Sequence, residues 1–141
     1  MADVTRILTE KGFSRNVASL SELLNTATSG GPIPIAANYS PFQGYADATT
    51  ITFNFAASNL AQVILGGNRT LAAAGIVTGQ FFFVSLTQDG IGSRTVTWFS
   101  GIRWPAGSPP TLTTGTNKTD VFGFVALSPT SFLNTDIAQN L

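Results

Sequence analysis

The sequence predicts an all-β fold, a β-sandwich or jelly-roll-like domain, preceded by an extended N-terminal arm with room for one short helix. Three observations lead to it. Short runs alternating polar and apolar residues recur from Thr49 onward. Turn chemistry built on Gly, Asn, Asp and Pro separates them. No helical stretch lies between the strands, which argues against a parallel α/β sheet. We read residues 1–46 as the arm and 47–141 as the sandwich, and the 141 residues together as enough chain for one sizeable core.

In the arm, Asn16 can cap a short helix whose Val17, Leu20, Leu23 and Leu24 recur at helical spacing, ending near Asn25 before Ser29, Gly30 and Gly31. Pro32 and Pro34 then favour an extended, polyproline-like path. Tyr39, Pro41, Phe42 and Tyr45 bring large apolar surface into a stretch with no strand period. Such side chains must pack either on their own domain or on a neighbour. Pro32, Pro34, Tyr39, Phe42 and Tyr45, with Trp104, are therefore the candidate interaction residues.

The strands follow in order. Residues 50–55 alternate as a half-buried strand, and 60–65 form the next. Gly66, Gly67 and Asn68 make a turn into a short strand at 69–73. Residues 80–88 carry three consecutive Phe, apolar enough at the start to be buried on both faces. Exposed, this run would be an aggregation-prone edge, so it belongs at the centre of a sheet or under an oligomer interface, and simple core is the stronger reading. Asp89, Gly90 and Gly92 signal a turn into an alternating strand at 93–98. Residues 102–104 are short and end at Pro105, and a Pro-, Gly- and Ser-rich loop runs to Pro110. Residues 111–113 and 120–127 supply the last strands.

Composition bounds the function. Hydrophobic residues make up 43% of the chain, and charged residues only 10%, against roughly 25% in an average soluble domain. The net charge is zero, so the surface lacks the self-repulsion that keeps soluble proteins apart. We read much of it as covered by neighbours. Six of the charges fall in the first 22 residues and no basic stripe exists, which argues against binding nucleic acid by phosphate neutralisation. The chain has neither Cys nor His, removing thiol nucleophiles, His relays, disulfides and nearly all zinc or copper sites. No cofactor is expected. No apolar run reaches the ~18 residues of a membrane span, and the N-terminus lacks the basic-then-apolar order of a secretory signal. The protein is expected to be made in a cytoplasm and to stay soluble until it assembles.

Catalysis finds little support. A glycosidase needs two carboxylates about 5 to 10 Å apart across a cleft, and none of the seven carboxylates shows a pairing signal. Asp89 is expected to bond its own turn backbone, with Arg94 and Arg103 pairing Asp89 and Asp120 in surface bridges of little weight. The glycosylation patterns at Asn38, Asn68 and Asn117 are chance matches in a Thr-rich chain. Trp98 and Trp104 flank a Gly-containing turn, where stacking on a sugar ring competes with burial; burial is the stronger reading.

One resemblance is more specific. Gly66, Gly67, Asn68, Arg69, Thr70 and Leu71 are followed by Gly79 and Gln80, then Leu86, Thr87, Gln88, Asp89 and Gly90, then Gly92 through Trp98. The pattern continues through Ile102 to Gly107, Pro110 to Thr114, Asn117, Lys118 and Asp120 to Phe122. In order and spacing, across about residues 50 to 127, this resembles a module of tailed-bacteriophage structural proteins. The resemblance implies a virion β-domain, of the kind found at the ends of tail fibres and related appendages. The first 46 residues have no counterpart in it, and residues 131–141 lack an aromatic-rich close, so a free-standing unit is expected rather than the tip of a long fibre. The implied function is a capsid decoration (cement) protein, a homotrimer whose arm lies across major capsid protein or other virion subunits. The alternative is a tail-fibre or baseplate adhesin that binds a host glycan through the loops around Asp89, Gly90 and residues 104–110.

Overall fold

The computed structural model describes residues 42–141. Among these there are nine strands and no helix: β1 (Gln43–Gly44), β2 (Thr50–Asn54), β3 (Leu60–Leu65), β4 (Arg69–Ala74), β5 (Phe81–Gln88), β6 (Val96–Thr97), β7 (Ile102–Arg103), β8 (Thr119–Ser128) and β9 (Ser131–Ala138). They form a six-stranded sheet in the order β1-β3-β5-β8-β9-β7 and a three-stranded sheet in the order β2-β4-β6. The fold is mostly β, as the alternation predicts. The short helix expected after Asn16, and the candidates Pro32, Pro34 and Tyr39, lie outside the described residues.

The winding differs from the jelly-roll expectation. A jelly roll pairs its strands antiparallel, yet five of the seven pairings here are parallel. From β1 to β7 the chain changes sheet at every step, so strands two apart in sequence become parallel neighbours. The β8–β9 hairpin then enters the large sheet between β5 and β7. The cause is local. Consecutive strands each turn an apolar face toward one shared core: Ile51 and Phe53 from β2, Val63 and Leu65 from β3, Leu71 from β4, Phe82 and Val84 from β5. Turns such as Gly66-Gly67-Asn68 therefore carry the chain across the core, where a hairpin would carry it back alongside. No helix is needed for these parallel crossovers, because the next strand itself makes the crossing.

Aromatic side chains knit the core. Phe82 stacks on Phe124 with ring centroids 5.1 Å apart and meets Phe55 at 4.4 Å and Phe132 at 5.6 Å. Such contacts contribute roughly 0.5–1.5 kcal/mol each beyond simple burial. Trp98 packs edge-on against Phe122 and Trp104, at 4.8 and 5.1 Å.

Several local expectations need correction. The start of β5 is not buried on both faces: Phe82 is fully buried, but Phe81 is 59% exposed, because no further layer among the described residues covers the sheet's outer side. The strand read at 93–98 shortens to Val96–Thr97. Side chains hold its missing part: Gln88 Oε1 accepts from Arg94 N at 2.7 Å, and Asn68 Oδ1 accepts from Thr95 N at 3.0 Å. Residues 111–113 form no strand and are tied by Gln139 Nε2, which donates to Thr111 O at 2.8 Å, and by Asp120. Strand β9 was not expected, since its inward positions run Phe132 then Asn134 and a bulge breaks the register beside Gly123 and Phe124. Finally, Gln43 and Gly44, at the end of the segment read as arm, pair with Ala61 and Gln62.

Candidate functional site

The largest unoccupied chemical feature of the described residues is the outer face of the six-stranded sheet. Alternation along β5 sends Phe81, Phe83, Ser85 and Thr87 outward, and the register extends each into a row across neighbouring strands. One row runs Phe81, Val125, Leu133. The next runs Leu60, Phe83, Gly123, Asp136, followed by Gln62, Ser85, Val121, Ala138. Ile64, Thr87 and Thr119 close the face, with the two Thr hydroxyls 2.9 Å apart.

Ile64 is 62% exposed, and Leu127 and Leu133 join it and Phe81 as large apolar groups open to water. Gly123 makes room for the Phe83 ring. A Cβ built there would lie 2.9 Å from a Phe83 ring carbon, so the ring covers the strand where a side chain would stand. Among the described residues the charges on this face are Asp136 on β9 and Arg103, which pairs with Leu133 from the edge strand β7. The ion pairs of the described residues are Asp47–Arg69 and Asp89–Arg94, so Arg103 and Asp136 belong to neither. At one corner, Gln62, Ile64 and Thr87 border an open groove of about 310 Å³ that Tyr45 also lines.

A second feature lies after β5. Asp89 Oδ1 accepts from the backbone N–H groups of Ile91 and Gly92 at 3.0 and 2.9 Å, the turn role expected of it. Arg94 Nη2 donates to Asp89 Oδ2 at 2.7 Å, and its Nε donates to both carboxylate oxygens at 3.2 Å. The Arg94 guanidinium and the Gly92 amide hold the Asp89 carboxyl down at about 2. Gln88, itself buried, fixes the Arg94 backbone from the other side through both amide atoms. Gly92 has φ 75°, and a Cβ there would come within 2.5 Å of the Thr114 carbonyl oxygen, so this turn requires glycine. Beside it, Arg94, Val96, Trp98, Pro110, Leu112 and Thr114 line a groove of about 220 Å³.

The expected site residues scatter. Phe42 is half exposed. Tyr45 packs edge-on against Phe53 at 5.0 Å, and its hydroxyl accepts the Asn54 N–H at 2.7 Å, finishing the outer edge of β2. Trp104 is half buried against Trp98, Phe122 and Phe124. Arg94 pairs with Asp89 as expected, but Arg103 does not pair with Asp120. Asp120 is buried inside the sheet and accepts from Thr113 N at 2.7 Å, Asn140 N at 3.0 Å and Gln139 Nε2 at 3.2 Å. Burial acts to raise its pKa, but these donors together outweigh it and hold the carboxyl below the usual range. Sequence reading missed Phe81, Leu127, Leu133 and Ile64 as a shared surface. The signal was present in the parity of the strands, but the sheet order that brings them together was not.

No family model, no curated protein and no solved structure matches this chain.

Proposed function

We propose that the chain is a structural protein of a tailed-bacteriophage virion, a capsid decoration (cement) protein that stabilises the shell by binding across capsid subunits. The two sheets enclosing one core act as a β-sandwich, and copies of the chain associate as a homotrimer on the particle after synthesis in the host cytoplasm. The observation that carries this reading is the outer face of the six-stranded sheet, which is rich in exposed apolar side chains and almost uncharged. Faces left to water on such sheets are normally polar, and contiguous apolar patches above a few hundred Å² mark interaction surfaces. The resemblance of residues 50–127 to phage virion modules supplies the setting. The test is the protein's position and copy number in purified particles. Hundreds of copies on the shell are expected; a few to a few dozen at the tail would move the protein out of the capsid.

A second reading is favoured by one specific feature, the groove beside Trp98. It joins an indole and Pro110 to threonine hydroxyls and a guanidinium already fixed by Asp89 and Gln88. Apolar walls with a few fixed polar groups suit a saccharide, as an adhesin at a tail fibre or baseplate would require. Glycan-array binding by the isolated protein, abolished by Trp98→Ala, supports that reading over the first. Absence of binding to any glycan removes it.

A further inference from the structure

We propose that the outer face of β3, β5, β8 and β9 packs against the same face of a second copy of this chain, related by a twofold axis. This rests on the assembly reading above and assigns its face to the contact between copies, leaving the capsid contact to other surfaces of the chain. The first argument is size. Four strands at ~4.8 Å spacing and about eight residues at ~3.3 Å rise give roughly 500 Å² of sheet. Two copies then bury about 1,000 Å², the level at which specific protein contacts begin.

The second argument is composition. Leu60, Ile64, Phe81, Val125, Leu127 and Leu133 offer apolar surface in rows. No Lys and no Pro interrupts the four strands, and of their two charges Asp120 points into the core while Asp136 alone stands on the outer face.

The third argument is charge, and it selects the occupant. The face carries one anion, Asp136, and one cation, Arg103, three residues apart along β9 when Arg103 is placed by its pairing with Leu133. Both are exposed, and neither belongs to an ion pair of the described residues. A twofold contact is self-complementary: residue i meets j, and j meets i. It sets Arg103 of each copy against Asp136 of the other and leaves no charge over. A partner carrying net charge of either sign would leave one of the two opposed by its like.

The test uses the full chain. Sedimentation equilibrium at tens of micromolar is expected to give an even number of copies, a dimer, or a hexamer where threefold contacts are also made. Phe81→Glu with Leu133→Glu is expected to weaken the twofold contact by at least ~100-fold while the far-UV spectrum and melting midpoint stay near wild type, since both positions are exposed. Arg103→Glu and Asp136→Arg should each weaken association about tenfold, and the double variant should restore it. A folding defect cannot produce that restoration. A monomeric or purely trimeric wild type, or a double variant no better than the singles, overturns the proposal. A chain that decorates capsids without this contact would leave the virion reading standing. A chain that self-pairs but is absent from particles would do the reverse.

Discussion

The two faces of the six-stranded sheet are built from the same strands, and they obey different rules. On the inner face Phe82, Phe122 and Phe124 are fully buried, and the polar side chains admitted there are held by hydrogen bonds, with one atom excepted. Asp120 accepts three hydrogen bonds, Gln88 makes two, and Asn134 donates to the carbonyls of Gly123 and Asp136 at 3.0 and 3.1 Å. Asn134 Oδ1 is the one buried side-chain atom of the described residues left without a bond. On the outer face Phe81 and Leu133 stand in water, and beside Asp136 and Arg103 the polar groups are hydroxyls and amides. Adjacent Phe residues thus do different work: Phe82 holds the monomer together, and Phe81 does not.

That contrast is sharpest in a paired substitution. Phe82→Ala removes a ring that touches Phe55, Phe99, Phe124 and Phe132, and is expected to cost about 3–5 kcal/mol of stability. Against the ~5–15 kcal/mol typical of whole domains, that leaves a protein near its unfolding threshold. Phe81→Ala, one residue away, should change the stability of the isolated subunit by no more than ~0.5 kcal/mol. Urea denaturation of both variants at a concentration that keeps the subunits apart checks this. Equal losses would mean that the outer face is already covered within the subunit, and the distinction between the faces would fail.

The next effect tests how polar groups survive inside. Asp120→Ala leaves the amides of Thr113 and Asn140 without their acceptor and frees the Gln139 side chain. Unpaired buried donors cost about 1–3 kcal/mol each, though water entering near the chain's last residues reduces the sum, so a loss of about 2–3 kcal/mol is expected. Hydrogen exchange should also accelerate at Thr113, Asn140 and Leu141, because Leu141 exchanges backbone hydrogen bonds with Thr119 beside Asp120. Acceleration spread evenly through the domain would mean that Asp120 does not specifically anchor this end of the sheet.

How much of this was legible in the sequence follows from the same contrast. Alternation along residues 50–55 was sufficient to place β2, and the apolar run at 60–65 to place β3. Parity is a local property. The partner of each strand is not, because the turns at Gly66 and Asp89 fit a hairpin and a crossing between sheets equally well. Residues 111–113 read as a strand because Leu112 is flanked by Thr, yet their hydrogen bonds go to Asp120 and Gln139, far along the chain. Strand β9 was hidden for the opposite reason: the buried Asn134 occupies the position where an apolar residue would have kept the alternation. Of the candidate interaction residues, Tyr45 and Trp104 turned out to serve packing in large part, since an aromatic in an irregular segment does not reveal what it packs on. The exposed face needed the sheet order before its rows existed at all.

A smaller effect bears on the margin between the faces. The Tyr45 hydroxyl accepts the Asn54 N–H at the open edge of β2, while its ring seals Phe53. Tyr45→Phe keeps the ring and removes both hydrogen bonds of the hydroxyl with the Asn54 backbone, the second a long one to its carbonyl at 3.4 Å, at an edge that water can reach, so a loss of about 0.5–1.5 kcal/mol is expected. Tyr45→Ala should cost more, because it uncovers Phe53 as well. If the two variants lost the same amount, the hydroxyl alone would carry the contribution and the ring would not be sealing the core.

The smallest effect concerns acid, and its sign follows from the donors around each carboxylate. Asp89, held at about 2 by Arg94 and the Gly92 amide, and Asp47, lowered by its hydrogen bond to Arg69, are both more acidic folded than unfolded. In the unfolded chain an Asp titrates near ~3.9. Between that value and the folded one, the unfolded state binds more protons, so stability rises with pH there. The contribution is fully present above about pH 5 and is lost as pH falls toward 2. Both pairs are partly open to solvent, which screens them and keeps the effect modest. Asp89→Asn should therefore flatten part of the acid limb of the melting midpoint measured from pH 6 to 2, and leave the midpoint at neutral pH only slightly lower.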